Sequence, residues 1–451
     1  MRDILSYFTL RRLDLMRMVT GILIIIDGYP LIFFFKESLK LAPGSTAFTA
    51  AVLAMGYLLM IPTTIFRKLY RCNTVLLRFG IIFLIFSIVS MYVYPFIFFK
   101  SYTQDMLYYL YIFAFLFLLI NTPNDIIEVF IPITVLFAVV SNLGLVYALL
   151  TDPTWTIGQR AAIQYGEGEY RTGNPHVFAR NALICVVACG IWVTQPKTNF
   201  FVRIFAFFSC VFSMGILVLT QVRSSILALI IIIFCFLLFN VRPAQIKLLA
   251  RTLIRPTSLL LIAVVFIGIS LFIRRNIDLY AVLYGYAVAF IERNMENVFA
   301  VFGLKGQDNF AASLDASAGN RATSFLYLRI LLEGHLHVIL YGQGYKSTYL
   351  DVPILEALVN HGFVGFFLFA CFILLMLVYS LKAMRDNPDP LSTFLAYFYI
   401  YMFVQMFTVG RPYEMAHWQP FCMLMRFIGM DRVFPRHLLN HPDKLESQLL
   451  A

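Results

Sequence analysis

The sequence predicts an all-α protein that crosses a membrane many times, and three observations carry that expectation. The first is composition. Of the 451 residues, 61% are hydrophobic and 13% are charged, where a water-soluble domain carries roughly 45–50% apolar and about 25% charged residues. The second is segmentation, because apolar runs near the ~20 residues that a helix needs to span a bilayer recur along the whole chain. The third is the placement of basic residues in alternate loops, the pattern that orients a polytopic protein.

Twelve runs read as spans, at about 18–35, 46–66, 75–98, 107–121, 126–150, 178–195, 201–220, 224–240, 257–273, 357–380, 391–409 and 418–431. They make residues 1–451 one integral membrane domain. Arg11, Arg12 and Arg17 precede the first run, Arg67, Lys68 and Arg71 follow the second, and Lys197 and Arg203 follow the sixth. Arg242, Lys247, Arg251 and Arg255, then Lys382 and Arg385, then Arg432 and Arg436 continue the series. All fall on one side if both termini are cytoplasmic. The pattern is weakest at the short fourth run and at the last, which contains Pro420 and Arg426.

Met1 to Arg17 is basic and amphipathic with no small-residue cleavage site after it, so the first run is expected to stay as a span. A net charge of +11 spread over short loops points to topology and anionic headgroups, not to nucleic acid. The seven cysteines lie almost entirely inside apolar runs with no paired spacing, which reads as packing and gives neither a disulfide framework nor a metal site.

Two outward loops, 151–177 and 274–353, are too long to be turns. In the second, Leu279 to Phe302 and Thr323 to Leu332 read as amphipathic surface helices, and the Gly-, Ser- and Asp-rich stretch Gly303 to Asn320 as a flexible segment between them. The same topology puts Arg171, Arg223, Arg321 and Arg411 on the outer face. A guanidinium stays charged and presents a planar fork that suits phosphate oxygens, so arginines at the lip of a membrane domain point to a phosphorylated lipid.

Three stretches gather chemistry. Arg171-Thr172-Gly173-Asn174-Pro175-His176-Val177-Phe178-Ala179 runs into Arg180 at the start of the sixth run, placing cations beside the free backbone donors of a helix N-terminus; headgroup anchoring is the plainer account. Thr220-Gln221-Val222-Arg223-Ser224-Ser225 interrupts two apolar runs. A guanidinium held deep in the bilayer costs roughly 2.5–3.5 kcal/mol on insertion scales, so Arg223 either meets an anion or snorkels to the interface. The third stretch holds Arg321, Arg329, His335, His337, Gly342-Gln343-Gly344, Lys346, Asp351 and Asn360 to Gly365. Its Gly-x-Gly has no preceding strand and is weak as a nucleotide motif. His335 and His337 point apart on a helix and lack a carboxylate set for a metal. Asp351 at the lip is a candidate base, or simply a helix-start residue.

Taken together, the Arg171 to Ala179 stretch, the Val222-Arg223-Ser224-Ser225 turn, and Gly342-Gln343-Gly344 followed by Asp351 and Gly362 to Gly365 resemble the O-antigen polymerase and O-antigen ligase superfamily over about residues 170–365. The resemblance implies a GT-C-like bacterial inner-membrane glycosyltransferase with about 12 spans. It implies inverting transfer at the periplasmic face from an undecaprenyl-diphosphate-linked glycan, without metal or other cofactor, and a chain-length regulator as a possible partner. It carries diphosphate binding onto Arg171, Arg223 and Arg321, with Arg180, Arg329 and Arg411 in second rank. Ligases of the superfamily carry a histidine between the Gly-x-Gly turn and the next span, whereas this chain has Asp351 there and no histidine until His361. That favours a polymerase with Asp351 as base, and leaves His361 and His176 as alternatives. A lipid-linked glycan transporter is the competing class; it should show broken helices and charges deep in the bilayer.

Overall fold

The computed structural model describes residues 10–429 apart from 64, 96–101, 157, 167–171, 196–197, 241–255 and most of 278–315. The fold is helical, and each of the twelve apolar runs carries a helix: α1 Leu10–Asp27 with α2 Tyr29–Phe33, α3 Thr46–Met60, α4 Thr74–Val93, α5 Tyr102–Asn121, α6 Ile127–Thr151, α7 Pro175–Thr194, α8 Phe200–Thr220, α9 Arg223–Asn240 and α10 Pro256–Arg275, then, after the short α11 Ala316–Gly334 and α12 Leu336–Tyr341 of the large loop, α13 Pro353–Asp386, α14 Pro390–Gln405 and α15 Met415–Phe427. Among the described residues, seven are long and apolar enough to cross a membrane, and the bent pair of α1 with the segment after Gly28 makes an eighth when taken as one span. The protein is therefore a multi-pass, all-α membrane protein.

Local chemistry explains most boundaries. Ser45, Asn73, Asn174 and Asp389 cap α3, α4, α7 and α14 by accepting from backbone N–H groups of the first turn. Pro175, Pro353 and Pro390 open their helices at positions where a missing N–H costs nothing.

Two helices depart from the simple pattern. The first run breaks at Gly28, where α1 and the following helical segment meet at 76°; Pro30 begins the new helix, and a Cβ on Gly28 would lie 2.2 Å from the Ile24 carbonyl oxygen. The second break is inside α13 at Gly362, whose φ of 67° and ψ of −168° are non-helical. That break frees the Val359 and Asn360 carbonyls, which accept from Gln343 N (2.8 Å) and Gly344 N (3.1 Å).

Other differences from expectation have physical causes. The helix of the fourth run starts at Tyr102, five residues earlier than its apolar stretch; Thr103 and Gln104 of its first turn are exposed, and Asp105 turns inward, only 3% exposed. Helices α14 and α15 are short, 16 and 13 residues, because the connection between them turns into the bundle, where Tyr413 is buried. Of Gly303 to Asn320, expected to be flexible, residues 316–320 are helical as the start of α11 and the remainder lies outside the described residues, as does most of Leu279 to Phe302.

The core is apolar, with polar ties between helices. Asn181 on α7 donates to the Ala138 carbonyl (3.1 Å) and to Asn142 Oδ1 (2.8 Å) on α6, and Asn142 donates to Ser213 Oγ on α8 (3.0 Å). Such amide ladders hold helices together where water does not compete. α14 is buried along almost its whole length, whereas α8 and α9 keep broad exposed faces of Phe, Ile and Leu suited to lipid.

At one end of the bundle Arg11 pairs with Asp125, Arg17 donates to the Leu59 and Ile61 carbonyls, and the fully buried Arg426 closes the end of α5. The C-terminus of α1 and the N-termini of α5, α7, α13 and α15 all lie at the opposite end.

Candidate functional site

A cavity of about 260 Å³ opens at that opposite end. Five segments distant in sequence line it: Ile25 to Tyr29 at the first break, Asp105 to Tyr109 on α5, Arg180 on α7, Tyr345 and Lys346 after the Gly-x-Gly turn, and Arg411 to Gln419 leading into α15. Its wall carries three cations, Arg180, Lys346 and Arg411, among the tyrosines Tyr29, Tyr108, Tyr109, Tyr345 and Tyr413.

Each cation is held by its own buried carboxylate. Arg180 Nε lies 3.8 Å from Asp27 Oδ1, and its two terminal nitrogens donate to the Ile26 carbonyl and, at 3.3 Å, to the Ala416 carbonyl. Lys346 Nζ donates to Asp105 Oδ1 at 2.7 Å. Arg411 Nη1 lies 3.6 Å from Glu356 Oε1, and its guanidinium stacks 4.8 Å from the Tyr349 ring centroid. The carboxylates Asp27, Asp105 and Glu356 are 3%, 3% and 0% exposed, so removing either partner of a pair would leave a charge with little water to solvate it.

Glu356 is the hub of a polar network. Its Oε1 accepts from Tyr413 OH (2.7 Å) and from Asn360 Nδ2 (3.3 Å), and its Oε2 from Leu350 N (3.1 Å). Asn360 in turn accepts from Ser347 Oγ (2.6 Å) and Thr348 N (3.1 Å) and donates to the Thr348 carbonyl (3.1 Å). The segment carrying Lys346 is thereby stitched to the first turns of α13. Its Gly-x-Gly serves this docking: Gly342 and Gly344 have φ of 81° and 101°, and their backbone lies directly on the break in α13.

Burial pushes the Tyr413 and Tyr345 hydroxyls well above the ordinary tyrosine value, helped by Glu356 beside the first and Tyr109 beside the second. Burial opposes the charge on Arg411, but the Glu356 carboxylate outweighs it and raises the guanidinium pKa. The tyrosines are therefore neutral donors, and Arg411 a permanent cation.

The sequence candidates divide. Arg180 and Arg411, ranked second by the resemblance, come together at the cavity. Arg171 lies outside the described residues, and Arg321 falls within α11 with its side chain not described. Arg223 opens α9, half-buried and away from the cavity wall. Arg329 is elsewhere, in an exposed pair with Glu333 at 2.8 Å. Asp351 is half-buried outside the cavity wall and bonded to Tyr349. His176 is exposed beyond the cavity wall, on the first turn of α7. His361 is packed inside the protein, its Nδ1 3.2 Å from Ser90 Oγ and its Nε2 3.4 Å from Ser87 Oγ; it touches Tyr345 and Tyr413 but does not line the cavity.

Sequence reasoning passed over Asp105, Lys346 as a site residue, Glu356 and Tyr413. The spacing of Glu356 and Asn360 was a usable signal, since residues four apart share one helix face and both are polar beside an apolar run. Among the described residues no group of three or more His, Cys, Asp or Glu is placed to hold a metal ion. No protein-family model matches the chain, and a search of curated proteins returns no match.

Proposed function

We propose that this chain is a membrane glycosyltransferase that joins lipid-linked oligosaccharide repeat units, taking a polyprenyl-diphosphate-linked glycan as donor. One observation carries the reading: Arg180, Lys346 and Arg411, from three distant parts of the chain, converge with five tyrosines on one cavity at a single end of the bundle. Cleaving the bond between an anomeric carbon and a diphosphate builds negative charge on the leaving oxygens, and fixed cations in a water-poor site stabilise that charge as it develops. A diphosphate carries more charge than the single carboxylate each cation now faces, so it competes with those carboxylates for the cations. Tyrosine rings suit the apolar faces of sugars, and their hydroxyls suit the edges. A cavity below the roughly 300–1,000 Å³ of drug-sized sites admits the reacting sugar and its phosphate while the rest of the glycan stays outside.

The full reading has twelve helical runs as spans, both termini in the cytoplasm and the cavity at the periplasmic face of a bacterial inner membrane. It rests on the basic residues at the other end of the bundle. Arg171, Arg223 and Arg321 are assigned to the same diphosphate by resemblance, on loops and a turn that this topology brings to the same end. A chain-length regulator is a possible partner on that reading, and the polymerase is preferred to a ligase because no histidine lies between the Gly-x-Gly turn and His361.

The breaks at Gly28 and Gly362, each beside buried polar groups, favour a second reading as a lipid-linked glycan transporter. Purified full-length protein with a synthetic polyprenyl-diphosphate repeat unit decides between them. A polymerase gives a ladder of products, lost in an Arg180→Ala, Arg411→Ala variant. A ligase needs lipid A-core as acceptor. Movement of the lipid across a vesicle without any product is the result that would replace the enzyme reading with transport.

A further inference from the structure

Resting on the glycosyl-transfer reading, we propose that Asp105 is the base that receives the proton of the attacking sugar hydroxyl, in place of the lip carboxylate Asp351. Asp105 lines the cavity and is 3% exposed. Only one of its oxygens is used: Oδ1 accepts from Lys346 Nζ at 2.7 Å, while Oδ2, equally buried, makes no hydrogen bond among the described residues. An acceptor atom left open in a buried carboxylate carries a desolvation cost; Asp27 Oδ2 is open in the same way, but Asp105, unlike Asp27, lines the cavity, where a ligand can donate to it. Asp351 offers nothing comparable, being half-buried, off the cavity wall and engaged with Tyr349.

The surroundings fit a hydroxyl. Lys346 Nζ stands 5.8 and 5.7 Å from the ring centroids of Tyr345 and Tyr413, which pack on each other at 4.9 Å, and Tyr109 OH lies 3.2 Å from Tyr345 OH. Asp105 and Tyr109 are four residues apart on α5, so the carboxylate and this aromatic wall share one face of the helix.

In the step itself, a lone pair of the acceptor oxygen forms the bond to the anomeric carbon from the side opposite the diphosphate. The bond from that carbon to the phosphate oxygen breaks, its electron pair staying on the diphosphate, which Arg180 and Arg411 face. The hydroxyl proton passes to Asp105 Oδ2 and is later released to water. Lys346 holds the carboxylate oriented until then, and turns toward the departing phosphate once Asp105 has taken the proton.

The test uses the purified full-length protein with a synthetic polyprenyl-diphosphate repeat unit, reading ladder formation, binding of polyprenyl diphosphate, and thermal unfolding. Asp105→Asn is expected to lose at least about 100-fold in turnover, the lower end of a general base's contribution, while still binding polyprenyl diphosphate. Asp351→Asn is expected to keep turnover within about threefold. Turnover lost in Asp105→Asn with polyprenyl diphosphate binding and melting temperature at wild-type values supports a base, since loss of a mere counter-ion to Lys346 would disturb both; recovery of turnover in a double variant, Asp105→Asn with Lys346→Met, would overturn the proposal. An active Asp105→Asn also overturns it. Wild-type protein that yields no glycosylated product with any acceptor, lipid A-core included, overturns the glycosyl-transfer reading itself, and the base assignment with it.

Discussion

Gly342 and Gly362 lie backbone against backbone: a Cβ on Gly342 would come 2.7 Å from Gly362 N, and a Cβ on Gly362 would come 2.7 Å from Gly342 N. Both have positive φ, 81° and 67°, so each position excludes a side chain twice, by conformation and by space. Contact between them seats the segment carrying Tyr345 and Lys346 on the break in α13. Either Gly→Ala change is expected to cost about 2 kcal/mol or more in unfolding experiments in detergent: with ψ of 170° and −168° both residues sit in a positive-φ, extended region essentially closed to residues with a Cβ, about 1–3 kcal/mol of strain, and the new Cβ meets backbone that cannot move aside. Cavity-dependent activity should fall with it. A melting temperature unchanged in both variants would show that the two segments do not dock.

Glu356 organises the same region from beneath. Glu356→Gln keeps the shape and one acceptor for Tyr413 but leaves Arg411 without a counter-charge. Glu356→Gln and Arg411→Met should each destabilise the protein, and the double variant should be less damaged than their sum, with a coupling of about 1–3 kcal/mol as expected for residues in one network. Thermal or denaturant unfolding of the four proteins measures it. Coupling under about 0.5 kcal/mol would make the pair independent.

The helices were largely legible in the sequence because bilayer burial demands long apolar runs, and their caps and prolines are local signals. The two breaks were not. Gly28 and Gly362 sit inside apolar stretches, and nothing local distinguishes a glycine that breaks a helix from one that lets neighbours approach, as Gly80 and Gly144 do. The candidate site was half legible. Arg180 and Arg411 stood out as charges at the ends of apolar runs, but their importance over Arg329 depended on which face of which helix meets the cavity, a tertiary fact. Asp105 and Lys346 are 241 positions apart, and no local spacing announces that pair. A place at the lip made Asp351 conspicuous in the sequence, but its side chain is half-buried and does not line the cavity.

The ranking of arginines is directly measurable. Arg329 makes an exposed pair four residues along its helix, worth about 0.2–0.5 kcal/mol, and Arg329→Ala should leave melting temperature and polyprenyl diphosphate binding at wild-type values. Arg180→Ala leaves Asp27 buried without its cation and the Ile26 and Ala416 carbonyls without their donor, which should cost roughly 3 kcal/mol or more of stability. Arg180→Lys separates charge from geometry: an ammonium keeps the charge but cannot span Asp27 and two carbonyls at once. Binding that is equal in the Arg180→Lys protein and the wild type would mean that charge alone matters there.

Arg426 supplies a control at the far end of the molecule. Its guanidinium is fully buried, donating from Nε to the Leu119 carbonyl (3.1 Å), from Nη1 to the Arg71 carbonyl (3.2 Å), and from Nη2 to the Thr122 carbonyl (3.1 Å) and Asn124 Oδ1 (2.5 Å). Two of those carbonyls lie at the C-terminus of α5, where unpaired oxygens and the helix dipole both favour a cation. Without it the C-terminus of α5 and the adjoining residues Arg71 and Asn124 would each lose a donor to a buried acceptor, at about 1–3 kcal/mol for an acceptor left unsatisfied. Arg426→Met should therefore destabilise the protein by roughly 3 kcal/mol or more, and Arg426→Lys should recover only part, because one ammonium cannot reach acceptors spread around a planar fork. Since α5 also carries Asp105 at its other end, activity should be lost in step with folded protein, with turnover per folded molecule unchanged. Unfolding curves and active-fraction titration on the same samples distinguish this from a direct role: turnover per folded molecule that drops would place Arg426 in a pathway to the cavity instead of in the scaffold.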